Sequence, residues 1–173
     1  MLQTGMVTGW EDKMNIREEL GKRMLFFDGG LGSLLQARGL KPGELPETWN
    51  LSKPEELLAI HKEYLEAGAD IISTNTFNAN AVSLAEYGAE DLATQINASA
   101  ASIARQTADE WSEAGKPRWV AGVMGPTGRT ASISPEVDDP AARNIDFDRL
   151  YRAYSEQARA LAENGADLIL VET

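Results

Sequence analysis

Apolar residues follow two spacings along this chain: short continuous runs, and stripes that recur every three or four residues. Continuous runs of strand length predict strands buried on both faces, as in a parallel sheet, whereas the stripes predict amphipathic helices. The runs are residues 24–27 (Met-Leu-Phe-Phe), 71–74 (Ile-Ile-Ser-Thr), 119–123 (Trp-Val-Ala-Gly-Val) and 168–171 (Leu-Ile-Leu-Val). Helical stripes fall between them. Ser52-Lys53-Pro54-Glu55 reads as a capping box opening a helix whose apolar face is Leu57, Leu58, Tyr64 and Leu65. Residues 91–113 carry Leu92, Ile96, Ile103 and many alanines, a face suited to close packing on a sheet. Asp146 reads as the N-cap of a helix over 147–163 that buries Leu150, Tyr154, Ala158 and Leu161. Shorter helices are predicted over 15–21, with Asn15 as N-cap and Gly21 as stop, over 31–38 before Gly39, and over 80–87 before Gly88. Residues 1–12 have no period and read as a lead-in with Trp10 available to dock on the body, and 41–50 read as a loop. Residues 124–146 are too long for a simple connection and read as a lid or binding surface.

One stretch occurs twice. Gly68-Ala69-Asp70-Ile71-Ile72-Ser73-Thr74-Asn75 returns as Gly165-Ala166-Asp167-Leu168-Ile169-Leu170-Val171-Glu172. In each copy the glycine stands where a helix needs a left-handed C-cap, and the strand that follows ends in a polar residue, Asn75 or Glu172. The repeat marks an α/β chain with parallel strands, whose C-terminal ends are where such folds hold ligands. Counted along the chain, the elements alternate as βαβαβαβ. Polar residues after nearly every strand, and no nucleotide fingerprint after the first, favour a barrel over a doubly wound sheet. A (β/α)8 barrel takes about 250 residues, so four strands in 173 residues read as its N-terminal half. On this reading residues 1–23 are a lead-in with a short helix and 24–173 a partial barrel domain.

Composition narrows the chemistry. A formal net charge of -11 argues against nucleic-acid and anionic-membrane partners, and no apolar run is long enough to span a bilayer. With no cysteine there is no disulfide and no thiolate metal site within these residues, and a single histidine, His61, does not make a metal centre. This usage, with no export signal near the N-terminus, suits a cytoplasmic protein. Asp28-Gly29-Gly30-Leu31-Gly32 follows the first strand. Its glycines leave amide N–H groups free for an anion and let backbone approach a ligand, but the spacing does not match a phosphate loop, and Asp28 would repel a phosphate. A carboxylate beside free amides suits a zwitterion, Asp28 facing an ammonium and the amides a carboxylate. The competing reading is a tight turn with Asp28 capping the next helix. Thr74-Asn75-Thr76-Phe77-Asn78 crowds amides and hydroxyls onto a strand end and suits hydrogen bonding to a small polar ligand, or capping of the helix that follows.

These segments carry a resemblance. Phe27-Asp28-Gly29-Gly30-Leu31-Gly32, Glu66-Ala67-Gly68-Ala69-Asp70-Ile71-Ile72-Ser73-Thr74-Asn75-Thr76-Phe77, Val120-Ala121-Gly122-Val123-Met124-Gly125-Pro126-Thr127, Arg129-Thr130-Ala131-Ser132-Ile133-Ser134-Pro135 and residues 165–173 together resemble the homocysteine S-methyltransferase family. The likeness is greatest to the homocysteine-binding module of the cobalamin-dependent methionine synthases, to which the Thr-Ala-Ser-Ile-Ser-Pro segment points. The resemblance implies a barrel that binds L-homocysteine at its strand ends, with Asp28, Gly29 and Gly30 on the amino-acid end, Glu172 near the ammonium and Asn75 in support. It implies a zinc-held thiolate that takes a methyl group from methylcobalamin, recharged from 5-methyltetrahydrofolate by other modules. The family's zinc cysteines fall on later strands, past Thr173, so this chain is expected to lack the metal site and to be inactive alone. Two other readings are a relative with a different thiol or selenol acceptor or methyl donor, and a non-catalytic half-barrel that dimerises or is completed by a second chain.

Overall fold

The computed structural model describes residues 15–113, 115–132, 134, 138–139 and 141–173. The lead-in with Trp10, and Ile133 and Pro135 of the Thr-Ala-Ser-Ile-Ser-Pro segment, lie outside the described residues. Three parallel strands, β1 (Ile71–Ser73), β2 (Trp119–Met124) and β3 (Leu168–Val171), form one sheet in that order. Ile72 pairs with Val120 and Gly122 with Ile169. Among the described residues seven α-helices accompany them: α1 (Ile16–Glu19), α2 (Leu31–Ala37), α3 (Trp49–Ser52), α4 (Pro54–Glu66), α5 (Ala81–Leu84), α6 (Ala93–Trp111) and α7 (Phe147–Glu163). None is long and apolar enough to cross a membrane.

The alanine stripe explains how the helices reach the sheet. Ala101, Ala104 and Ala108 of α6 are buried against Ile72, Val120 and Met124, together with Leu65 of α4 and Leu161 of α7. Small side chains let the helix backbone approach the strands without cavities. On α7 the buried face runs through Ala153, Gln157, Ala160 and Leu161, whereas the predicted Leu150, Tyr154 and Ala158 are only half-buried. The difference is a rotation of the stripe by one position toward the alanines, which permit the closer approach.

The repeated Gly-Ala-Asp has a physical basis. Gly68 (φ 106°) and Gly165 (φ 118°) both take the left-handed conformation expected of them. The aspartate after each clasps an earlier extended segment by a pair of bonds. Asp70 N–H donates to Phe26 O (2.8 Å) while Phe26 N–H donates to Asp70 Oδ2 (3.0 Å). Asp167 N–H donates to Val120 O (2.8 Å) while Val120 N–H donates to Asp167 Oδ2 (2.7 Å). Arginines stand behind both carboxylates, Arg23 and Arg118 at Asp70 and Arg105 at Asp167.

Several expectations are corrected. Residues 24–27 make no ladder; they meet β1 through a single parallel bridge, Phe27 to Ile71, and Met24 is 73% and Phe26 56% exposed. Among the described residues that segment has a bridge partner on one side only, and its apolar run is largely exposed instead of buried on both faces. Likewise β3 alternates half-buried Leu168 and Leu170 with exposed Ile169 and Val171. The predicted loop at 41–50 contains a 3-10 turn (Pro46–Thr48) leading into α3, because Trp49 is fully buried and pins it. No capping box opens α4: Ser52 donates instead to Thr48 O, and Pro54 begins the helix. His61 is a buried packing residue of α4.

Candidate functional site

The strand ends meet around one cleft of about 590 Å3. Its walls are the turn Phe27 to Gly30, the segment Ser73 to Asn78 after β1, Pro46 and Glu47, and Val123, Leu170 and Glu172 from β2, β3 and just past β3. Asp28, Gly29, Gly30, Asn75 and Glu172, the five residues singled out in the sequence, all line it. Phe27, Val123 and Leu170 add apolar wall, so the cavity has the mixed lining and the size of a small-molecule site.

Asp28 is held rigidly. Its Oδ2 accepts the Ser73 amide and its Oδ1 the Ser73 hydroxyl, both at 2.7 Å. It does not cap α2, whose N-cap is Gly30. Burial pushes the Asp28 carboxyl above the usual carboxylate range, and the charge of Glu172 adds to that push, while the Ser73 bonds oppose it. A partly desolvated carboxyl with a second carboxylate nearby forms a place where a cation is favoured. The amide N–H groups of Gly29, Gly30 and Gly32 have no protein acceptor among the described residues. Cation-seeking carboxylates and free amides therefore border the same space, the arrangement that a zwitterion complements.

The other polar residues do different work. Asn75 Nδ2 donates to Pro46 O (2.9 Å) and Asn50 Oδ1 (3.3 Å), while Asn50 Nδ2 donates to Asn75 O (2.8 Å). Asn75 thus ties the 46–50 segment to the strand end as well as lining the cleft. Thr74 and Thr76 are not free for a ligand: their hydroxyls bond each other, Thr76 donates to Val123 O, and Val123 N–H donates to Thr74. They join β1 to β2.

Sequence reasoning missed Glu47 and Ser73. Glu47 is 2% exposed; its Oε1 accepts the Asn78 amide at 2.8 Å and its Oε2 is buried without a partner. Burial raises its pKa. No period marks a loop glutamate, so only the fold brings it to the cleft. Ser73 was legible as the neighbour of Asn75 on an alternating strand face, though not as the anchor of Asp28.

No group of three or more potential ligands that could hold a metal exists among the described residues. His61 does not line the cleft, is 1% exposed, and burial lowers its pKa to about 4, keeping it neutral.

Comparison with known proteins adds a family and a fold. The family model described as Homocysteine S-methyltransferase matches residues 25–173. Among solved structures, the chain is similar to the homocysteine methyltransferase MmuM from Escherichia coli. Its metallated form aligns with a TM-score of 0.73 and 22% identity over 91% of this chain and 56% of that one. Its oxidized form aligns with a TM-score of 0.70 and 22% identity over 89% and 55%. The chain thus spans little more than half the length of these structures.

Proposed function

Because this chain belongs to the homocysteine S-methyltransferase family over residues 25–173, we propose that it supplies the amino-acid-binding half of a methyltransferase acting on L-homocysteine. The observation that carries this reading is the convergence of Asp28, the free amides of Gly29 and Gly30, and Glu172 on one cleft at the strand ends. In this proposal the ammonium of homocysteine lies between Asp28 and Glu172, its carboxylate meets the glycine amides, and its side chain runs along Phe27, Val123 and Leu170. Fixing the amino-acid end aims the sulfur and removes the entropy of searching for it. Asn75 and Asn50 hold the rim. Architecturally, we propose that the strands 24–27, β1, β2 and β3 are the first four of a (β/α)8 barrel, and that residues 1–23 are a lead-in to a domain starting at 24.

The metal implied by the resemblance does not fit the residues present. The chain has no cysteine, and its one histidine is buried in α4 outside the cleft. The proposed work of this chain is therefore binding and orientation, and thiol activation requires residues it does not contain. The segment Arg129 to Pro135 supports the cobalamin-dependent, methionine-forming branch, with methylcobalamin and 5-methyltetrahydrofolate brought by other modules.

Titrating L-homocysteine into the 15N-labelled chain and following the Gly29 and Gly30 amides tests the reading. Saturable shifts, weakened in Asp28→Asn or Glu172→Gln and much weaker for the analogue lacking the amino group, are expected. No saturable shift in the wild-type chain would refute it.

A further inference from the structure

Of the three glycines in the loop that follows Phe27, one has a close neighbour where a side chain would stand, and that neighbour lies behind the cleft. Gly29, Gly30 and Gly32 all have ordinary negative backbone conformations, so no left-handed φ explains them. A Cβ at Gly32 would meet open space, and one at Gly30 would meet nothing nearer than Ser33 Oγ at 3.9 Å. A Cβ at Gly29 would come to 2.9 Å from Tyr64 Oη, 3.1 Å from Cε1 and 3.3 Å from Cζ. Tyr64 sits on α4 with its ring against the cluster built on Leu35, Trp49 and Ile60, and it does not line the cleft. Its hydroxyl donates to Gly30 O at 3.1 Å.

We infer that Tyr64 is the positioning residue of the substrate loop: its ring fills the space left by the missing Gly29 side chain, and its hydroxyl holds the Gly30 carbonyl, so that the backbone carrying the Gly29 and Gly30 amides is braced from behind at both residues. A peptide group is planar, so anchoring the Gly30 carbonyl restrains the following amide, and the ring restrains the peptide before it. Gly29 is thus a glycine for the sake of the tyrosine behind it rather than of the ligand in front. Burial and the nearby Asp28 raise the Tyr64 pKa, which keeps the hydroxyl a donor. The inference rests on the reading that these amides receive the substrate carboxylate.

The test is L-homocysteine titration of the wild-type chain, Tyr64→Phe, Gly29→Ala and the double variant, each with a thermal melt. Tyr64→Phe keeps the ring and removes one hydrogen bond, so binding weakens about fivefold with Tm nearly unchanged, and the Gly30 and Leu31 amide resonances move before ligand is added. In Gly29→Ala the new methyl displaces the phenol from Gly30 O, so adding Tyr64→Phe costs no further affinity, because both changes break one contact. Wild-type affinity in a folded Tyr64→Phe with unmoved amides, or losses that add in the double variant, would overturn the positioning role while leaving the functional reading intact. Failure of the wild-type chain to bind L-homocysteine would overturn both.

Discussion

Asp28, half-buried, and Glu47, buried, are both carboxyls at the cleft, and their partners give them different behaviour. Asp28 has both oxygens engaged by Ser73 and faces the charge of Glu172. If it meets an ammonium it must be ionised, so homocysteine binding is expected to weaken as pH falls through a value above the ordinary 3.8 of an aspartate. Calorimetric titration across acidic pH reads that midpoint; a midpoint at or below the ordinary value would remove Asp28 from the ammonium site. Glu47 has one oxygen without a partner. Its raised pKa means the folded state holds the proton more tightly than the unfolded one, so its contribution to stability falls as pH rises from the ordinary 4.5 through the raised value. Glu47→Gln is therefore expected to raise Tm at neutral pH, because it removes the charge that burial disfavours. The gain should vanish at acidic pH, where the glutamate is neutral in both states, as melts at two pH values would show. The place of Asp28 at the cleft was legible because a carboxylate and glycines next to a strand end say something local. Glu47 was not, because its burial depends on Asn78, which lies far along the chain.

Among the elements, the glycines that close helices were read correctly because a left-handed C-cap is a local demand of the backbone. Gly68 and Gly165 nevertheless differ in surroundings: a Cβ at Gly68 meets open space, whereas one at Gly165 comes to 2.7 Å from Arg105 Cβ. Gly68→Ala is expected to cost about 1 kcal/mol for the conformation alone, and Gly165→Ala measurably more, since Arg105 would also be pushed from Asp167. Chemical denaturation of the two variants decides the order. The run at 24–27 misled because an apolar run says that a segment is strand-like but not whether it has neighbours on both sides. The capping box at Ser52 misled because the burial of Trp49 made α3, in which Ser52 is a helical residue whose hydroxyl donates back to Thr48 O instead of accepting an N–H of α4.

For the molecule as a whole, exposed apolar residues lie at both sides of the sheet. Met24 and Phe26 flank one side, and Ile169 and Val171, the latter 75% exposed, flank the other. Apolar edges with free backbone groups favour association. The 173-residue chain is therefore expected to self-associate as its concentration rises, and Val171→Lys to suppress this, as sedimentation velocity would report. A strictly monomeric chain with a cooperative melt would contradict it. The half-barrel reading from the sequence rests on four strand-like runs in 173 residues, of which the structure assembles three into one parallel sheet. The paired clasps of Asp70 and Asp167 have a further consequence. The α4–β1 and α7–β3 units each carry a fastener to an earlier extended segment, held by the same two bonds in both places. A unit duplicated with its Gly-Ala-Asp intact would bring the means of its own attachment, so a chain of this kind can lengthen by copying without inventing a new junction.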